Sequence, residues 1–260
     1  MGDRALRRPC GRWLRCGGRH PAWRPSRSLL SVNRGSHPLP NIHPEKDFPY
    51  LPDGGDVSEG DGLDLQDSFF YIGAMLNLEL DPFPRLETER LALRQMTPGD
   101  TPEVHFLRSD PEIMRYIDRP RAKTLEDARV WMDKVEELRM NNEGIVWAVS
   151  PKAGDHLIGK VLLWSFKPED ARGELGYVLH GDYQGKGYMG EAVDAALAYG
   201  FEVIGMNSVE AQVQPGNAAS VRLLEKRGFV QEGLFREYYY FDGQFKDLAI
   251  FSLLKKNWSK

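Results

Sequence analysis

Tyr183-Gln184-Gly185-Lys186-Gly187-Tyr188-Met189-Gly190-Glu191-Ala192 sets three glycines between a strand-like run and a helix-like run. Upstream, Leu175, Tyr177 and Leu179 alternate with other residue types over 172–179, which predicts an extended strand. Downstream, Val193, Leu197, Phe201 and Ile204 recur three to four residues apart and give a helix one apolar stripe. A glycine-rich turn opening a helix leaves several backbone amides unpaired and pointing one way. Such a turn cradles an anion, phosphate above all, so the stretch predicts a phosphate-bearing ligand. A tight turn needs one or two glycines for positive φ; it does not account for three in six positions.

Gly185-x-Gly187-x-x-Gly190 satisfies the dinucleotide-binding pattern, but its context is wrong. That pattern belongs after a first strand, with an acidic residue about twenty positions on at the end of a second. Here it follows several candidate strands, and Glu210 falls inside a strand-like run, Val209 to Val213. A second segment is more telling. Gln214-Pro215-Gly216-Asn217-Ala218-Ala219-Ser220-Val221-Arg222-Leu223-Leu224-Glu225-Lys226-Arg227-Gly228-Phe229 reads as a turn and a short helix. Asn217 is its N-cap, Val221 and Leu224 with Phe229 mark its inner face, and Gly228 after two basic residues ends it.

The two segments, in this order and at this separation, resemble the GNAT superfamily of acyl-CoA-dependent N-acetyltransferases. Gln184-x-x-Gly187-x-Met189 is similar to the family's pyrophosphate loop, with Met189 where a small residue is usual. Asn217-x-x-Ser220 followed by Gly228-Phe229 resembles the element lining the pantetheine and thiol end. The opening phrase Leu86-Glu87-Thr88-Glu89-Arg90-Leu91-Ala92-Leu93-Arg94 resembles the ribosomal-protein N-acetyltransferase-like (Rim-type) branch. The resemblance covers roughly residues 84 to 260 and is specific as a set.

The resemblance implies an acetyl-CoA-dependent N-acetyltransferase acting by direct attack in a ternary complex. The acceptor would be a primary amine, a protein N-terminus or a small amine such as a drug or polyamine. Anchoring of CoA falls to Gln184, Gly185, Lys186, Gly187, Tyr188, Met189 and Gly190 with the dipole of the following helix, and to Asn217 and Ser220. Polarising the thioester carbonyl falls to a backbone N–H in Tyr177 to Leu179, with Val178 and Leu179 counted among the cofactor-binding residues. The base is open between Glu174, Glu237 and a bound water. The Rim-type glutamate aligns with Tyr239, and Glu237 is its nearest acid. Leu224 occupies the position of the proton-donating tyrosine found in several GNAT groups; the Rim-type resemblance implies instead Ser220, held near the sulfur with Asn217, with helix capping as the alternative role for both. Trp164, Phe166, Tyr238, Tyr239 and Tyr240 form an aromatic-rich set that either packs the sheet or lines an acceptor groove. A non-catalytic acyl-CoA-binding module is the competing class.

The bulk composition fits this reading. A net charge of −4 over 260 residues supplies no global basic field for nucleic acid. No apolar run approaches the length of a membrane span. Cys10 and Cys16 are the only cysteines, a poor metal pair and no disulfide framework, which fits a reducing, cytoplasmic compartment. His105, His156 and His180 are scattered without metal spacing, so no metal is expected. Nothing distinguishes a monomer from a homodimer.

Residues 1–83 read as a disordered extension: Arg-rich and acid-free from Arg4 to Arg34, then acidic and Gly-rich from Glu45 to Asp67, with no sustained apolar period. The arginines suit a transit peptide, a basic arm for RNA or membrane, or sequence upstream of a true start at Met75, the reading we favour. Leu6 breaks the myristoylation pattern. From residue 84 to 260 the elements alternate in type, which predicts an α/β (α+β) domain. Its sheet is expected to be mixed, mostly antiparallel and twisted, of six to seven strands flanked by about four helices. Leu86–Gln95 reads as one strand, and Leu125, Ala128, Trp131, Val135 and Leu138 as a helical stripe. Asp242-Gly243 reads as the hinge of a closing hairpin.

Overall fold

The computed structural model describes residues 76–154 and 156–259. The readings made for residues 1–75, including the cysteine pair and the start at Met75, lie outside the described residues. Eight strands form one sheet in the order β1-β2-β3-β4-β5-β6-β8-β7. They are β1 (Leu86–Glu87), β2 (Leu91–Arg94), β3 (Gly144–Pro151), β4 (Gly159–Lys167), β5 (Arg172–Leu179), β6 (Ser208–Val213), β7 (Val230–Phe241) and β8 (Gln244–Leu254). All neighbours are antiparallel except β5 and β6. The expected six to seven strands become eight partly because Leu86–Gln95 is a hairpin rather than one strand. The Thr88 amide donates to the Leu91 carbonyl (3.0 Å) and its hydroxyl accepts from the Leu91 amide (3.0 Å), closing a tight turn.

Four helices cover the sheet: α1 (Thr101–Ser109), α2 (Leu125–Met140), α3 (Tyr188–Ala198) and α4 (Ala218–Glu225). On one face, α1 and α2 bury Val104, Leu107 and Ala128 against Ala148 and Leu157, with Trp131 and Val178 packed alongside. On the other, Trp147, Val149, Val161, Leu163 and Leu175 meet Val193, Ala196 and Leu197 of α3. The alternation of a strand thus separates two cores. Thr124 caps α2 by accepting from the Asp127 amide. This places Leu125 at the first helical position, where it is exposed, unlike the rest of its stripe. The α3 stripe runs on through a π-helical segment, Tyr199–Ile204, with Phe201 and Ile204 fully buried.

Packing begins before residue 84. Leu76 and Leu80 are buried, the Asn77 amide donates to the Ile204 carbonyl (2.8 Å), and Arg139 Nη1 donates to the Leu80 carbonyl (2.7 Å). Alternating Leu76, Leu78 and Leu80 thus pack on the core ahead of the boundary expected at 83/84.

One buried charge has a measurable consequence. Lys160 on β4 lies under α2 with Nζ 3.8 Å from the centroid of Trp131, whose ring also carries the Arg108 guanidinium at 4.7 Å. Burial, then the charge of Arg108, pushes the Lys160 ammonium down to about 7. An unfolded lysine titrates near about 10.4, so between those values the unfolded chain binds more protons and stability rises with pH. Denaturant unfolding at pH 7 and pH 9 should show that rise. Lys160→Met should flatten it and stabilise the protein at pH 7; an unchanged slope would contradict the assignment.

Candidate active site

The parallel pairing of β5 and β6 is brief. Arg172, Gly173 and Glu174 face Ser208, Val209 and Glu210, and no pairing follows. Beyond Glu174 the strands part, while β5 stays paired to β4 as far as Leu179 and β6 to β8 as far as Val213. The result is a wedge in the sheet whose walls are backbone edges. The His180 amide donates to the Ile158 carbonyl, just before β4 (2.8 Å). Antiparallel ladders alternate, so the Val178 amide also turns to β4 while those of Tyr177 and Leu179 turn to the wedge. The Leu179 carbonyl, on that same edge, accepts from Gln184 Nε2 (3.3 Å). Among Tyr177, Val178 and Leu179, the wedge therefore has two amides to offer, and Val178 is not one of them.

The glycine loop closes the wide end of the wedge. Gly187 caps α3 at φ +82°, and Gly185 has φ +72°. Gly190 has a different reason: a Cβ there would lie 2.0 Å from Arg227 Nη2, whose guanidinium Nε donates to the Gly190 carbonyl (3.2 Å). All three glycines are thus required by geometry, two by backbone conformation and one by close approach. The first helical amides, from Gly187 through Gly190, have no carbonyl four residues back to serve, and none accepts from them among the described residues. Met189, out of pattern for its loop, sends its side chain into the core and is buried, so its size leaves the amide side open. Lys186 is exposed, with Nζ 5.7 Å from the Tyr183 ring.

The hairpin that opens the domain holds this loop in place. Arg90 Nε donates to Glu191 Oε2 (2.7 Å), its amide to Glu191 Oε1 (2.8 Å), and Nη1 to the Lys186 carbonyl (3.0 Å). Thr88 Oγ1 also donates to Glu191 Oε1. Arg90 keeps Glu191 neutralised in the first turn of α3 and adds positive charge beside Gly187, whose Cβ position is 3.3 Å from Arg90 Nη2. The opening phrase of the domain is thereby tied to its anion loop, a link that sequence spacing does not reveal.

At the other wall, Asn217 caps α4 by accepting from the Ser220 amide (3.1 Å). Ser220 Oγ lies 2.6 Å from the hydroxyl of Tyr177 on β5. Burial, opposed by this hydrogen bond, pushes the Tyr177 phenol up to about 12, so the pair is neutral and able to donate. Sequence reading used Tyr177 only for its backbone. The signal available was its alternation with Leu175 and Leu179, which points its side chain to the α3/α4 face. Leu224 is core.

Glu174 sits at the fork, on the opposite face. Gln212 Nε2 donates to its Oε2 (3.3 Å), and burial raises its carboxyl above the ordinary range against a hydrogen bond from Trp164. Glu237 is elsewhere: it is exposed at a β7 bulge, at φ +49°, with its amide donating to Asp247 Oδ1 (2.8 Å). The structure does not bring it to Glu174 or Ser220. Of the aromatic set, Tyr238 and Tyr240 are exposed, Tyr239 is half-buried and Phe166 packs on the core. Among the described residues there is no group of three or more His, Cys, Asp or Glu that could hold a metal, and no helix long and apolar enough to cross a membrane.

Comparison with known proteins adds the family. Residues 90–230 match the profile of the acetyltransferase (GNAT) domain. An uncharacterized N-acetyltransferase, p20, of Bacillus licheniformis is 33% identical over 67% of this chain and 98% of its own length. A spermidine N(1)-acetyltransferase of Vibrio cholerae is 26% identical over 65% and 95%. The crystal structure of a ribosomal-protein-S5-alanine acetyltransferase from Vibrio fischeri superposes with a TM-score of 0.60 at 25% identity, covering 68% of this chain and 100% of that one. The splayed strands, the glycine loop and these matches agree: the chain belongs to the GNAT family of N-acetyltransferases, on a mixed sheet of eight strands with four helices.

Proposed function

We propose that the protein transfers the acetyl group of acetyl-CoA to a primary amine by direct attack inside the wedge. The observation that carries this reading is the parting of β5 and β6 beyond Glu174, with donors on both walls and an amide cradle at its wide end. The GNAT family uses acetyl-CoA, and the residues here suit it. The amides of Gly187, Tyr188, Met189 and Gly190, with the α3 dipole and Arg90, would hold the pyrophosphate. Gln184 acts on the loop itself, through the Leu179 carbonyl.

The residues divide the chemistry as follows. The amides of Tyr177 and Leu179 donate to the thioester oxygen as charge develops there. Glu174 takes the proton from the attacking amine, directly or through a water. Its raised carboxyl matches that task better than an ordinary glutamate would. Ser220 gives a proton to the departing sulfur, the Tyr177 hydroxyl resupplies it across their 2.6 Å contact, and solvent returns a proton to Tyr177 as Glu174 releases the one it took from the amine. A protein N-terminus and a polyamine are both primary amines, and both kinds of acceptor occur in the names of relatives.

The test is release of free CoA from acetyl-CoA by the full chain, with an Ala-terminated hexapeptide and spermidine as acceptors. Rates that saturate in both substrates and give intersecting reciprocal plots are expected. Parallel plots would mean a covalent acetyl-enzyme and would overturn direct attack.

A further inference from the structure

A second carboxylate stands near the fork, and neither the glycine loop nor the Glu174 base uses it. Asp118 lies between the helical turn Ile113–Tyr116 and α2. Its Oδ2 accepts from the Tyr239 hydroxyl on β7 and from Gln214 Nε2 just after β6. Gln214 Nε2 also lies 3.4 Å from the Tyr239 hydroxyl. Three separate parts of the chain thus converge on one oxygen. Tyr116 closes the same corner, 3.6 Å from the Cβ position of Gly216.

The donors to Asp118 are neutral. Asp100 faces Arg94, Glu191 faces Arg90 and Glu210 faces Arg172, whereas Asp118, like Glu174, has a glutamine amide as donor in place of an arginine. Asp118 has no such ion pair among the described residues, and its Oδ1 accepts no hydrogen bond there. Two neutral donors hold the group in place without cancelling its charge. Burial, then the neighbouring Asp118, pushes the Tyr239 phenol up to about 12, which keeps it a donor. Arg119, next in the chain, is exposed, and its charge reaches both Glu174 and Tyr239.

The position fits the reaction. Glu210, Gln212 and Gln214 alternate along one face of β6 and its continuation. Gln212 touches Glu174 and Gln214 touches Asp118. The two contacts are one strand repeat apart, about 6–7 Å. A molecule with two amino groups separated by a few methylenes spans that distance.

Resting on the acetyl-transfer reading above, we propose that Asp118, set by Tyr239 and Gln214, is a specificity residue that binds a second ammonium group of the acceptor. The substrate class is then an alkyl diamine or polyamine rather than a monoamine. Asp118 acts on recognition, and Glu174 on the proton.

The experiment compares kcat/KM for spermidine and for butylamine at saturating acetyl-CoA, using the full chain. The wild type should prefer spermidine by at least about tenfold, the worth of one hydrogen bond to a charged group. Asp118→Asn should bring the two within about twofold, through a higher KM for spermidine, with acetyl-CoA affinity unmoved. Tyr239→Phe, which keeps the charge but removes one of the two donors that set it, should lower the preference part-way, by about two- to fivefold and through the KM for spermidine alone, and serves if Asp118→Asn fails to fold. No preference in the wild type, a preference that survives Asp118→Asn, a preference unchanged in Tyr239→Phe, or acetyl-CoA binding without transfer to either amine would overturn the proposal. Absence of acetyl-CoA binding would instead overturn the transfer reading beneath it.

Discussion

Glu174→Gln should lower kcat about 100-fold at neutral pH, within the range for loss of a general base, while acetyl-CoA affinity stays within a few-fold of the wild type. The substitution is isosteric, and an amide can keep contacts with Gln212 and Trp164. What it removes is the ability to take a proton at the fork of β5 and β6. Because burial holds the Glu174 carboxyl above the usual range, wild-type activity should fall on the acid side at a pH above the ordinary glutamate value of about 4.3. That limb should be missing in the variant. The sign for stability is opposite to that for activity. A carboxyl whose folded value is raised binds its proton more tightly when folded, so its ionised form weakens the fold as pH rises. The variant should therefore be at least as stable as the wild type near pH 7. A slow, well-folded variant isolates the chemistry; an unaltered rate would hand the base role to another group.

Gly187→Glu should weaken acetyl-CoA binding by at least about 100-fold. A carboxylate about 4 Å from a phosphate costs about 4 kcal/mol at an effective dielectric near 20, and about 2.7 kcal/mol already makes a hundredfold. The backbone contributes separately, since Gly187 is at φ +82° and a left-handed side chain costs roughly 1–2 kcal/mol. Gly187→Ala carries that strain without the charge and is the control. Melting curves distinguish them. A ligand present at about 100 times its Kd stabilises the fold by about 2.7 kcal/mol. That upward shift should be absent in Gly187→Glu and reduced but present in Gly187→Ala. An equal response in both would remove the phosphate from the loop.

Much of this architecture is legible in the residues. The strand over 172–179, the strand over 208–213 and the Asn217 cap fall where alternation and capping place them. Local rules suffice there because each element has a clear period or a polar stop. The Leu86–Gln95 run was not legible as a hairpin, because its turn is closed by Thr88 rather than by glycine or asparagine. Gly190 looked like part of a phosphate motif, and its closest neighbour is Arg227, thirty-seven positions away in sequence. Long-range pairs of this kind leave no periodic trace. The same holds for Tyr177 with Ser220 and for Asp118 with Tyr239, 121 positions apart. Glu237 shows what proximity in sequence omits. It is near the right place in sequence, but a bulge in β7 with a left-handed residue turns it to solvent.

Calorimetric titration of acetyl-CoA into the full chain tests the central claim most directly, because every assigned role depends on a ligand held between β5, the glycine loop and α4. The expected result is one site per chain with micromolar affinity, about −8 kcal/mol, lost in Gly187→Glu. A folded protein that takes up no acetyl-CoA, or binds it equally well in Gly187→Glu, would mean that the loop is only a turn and that the wedge serves another purpose.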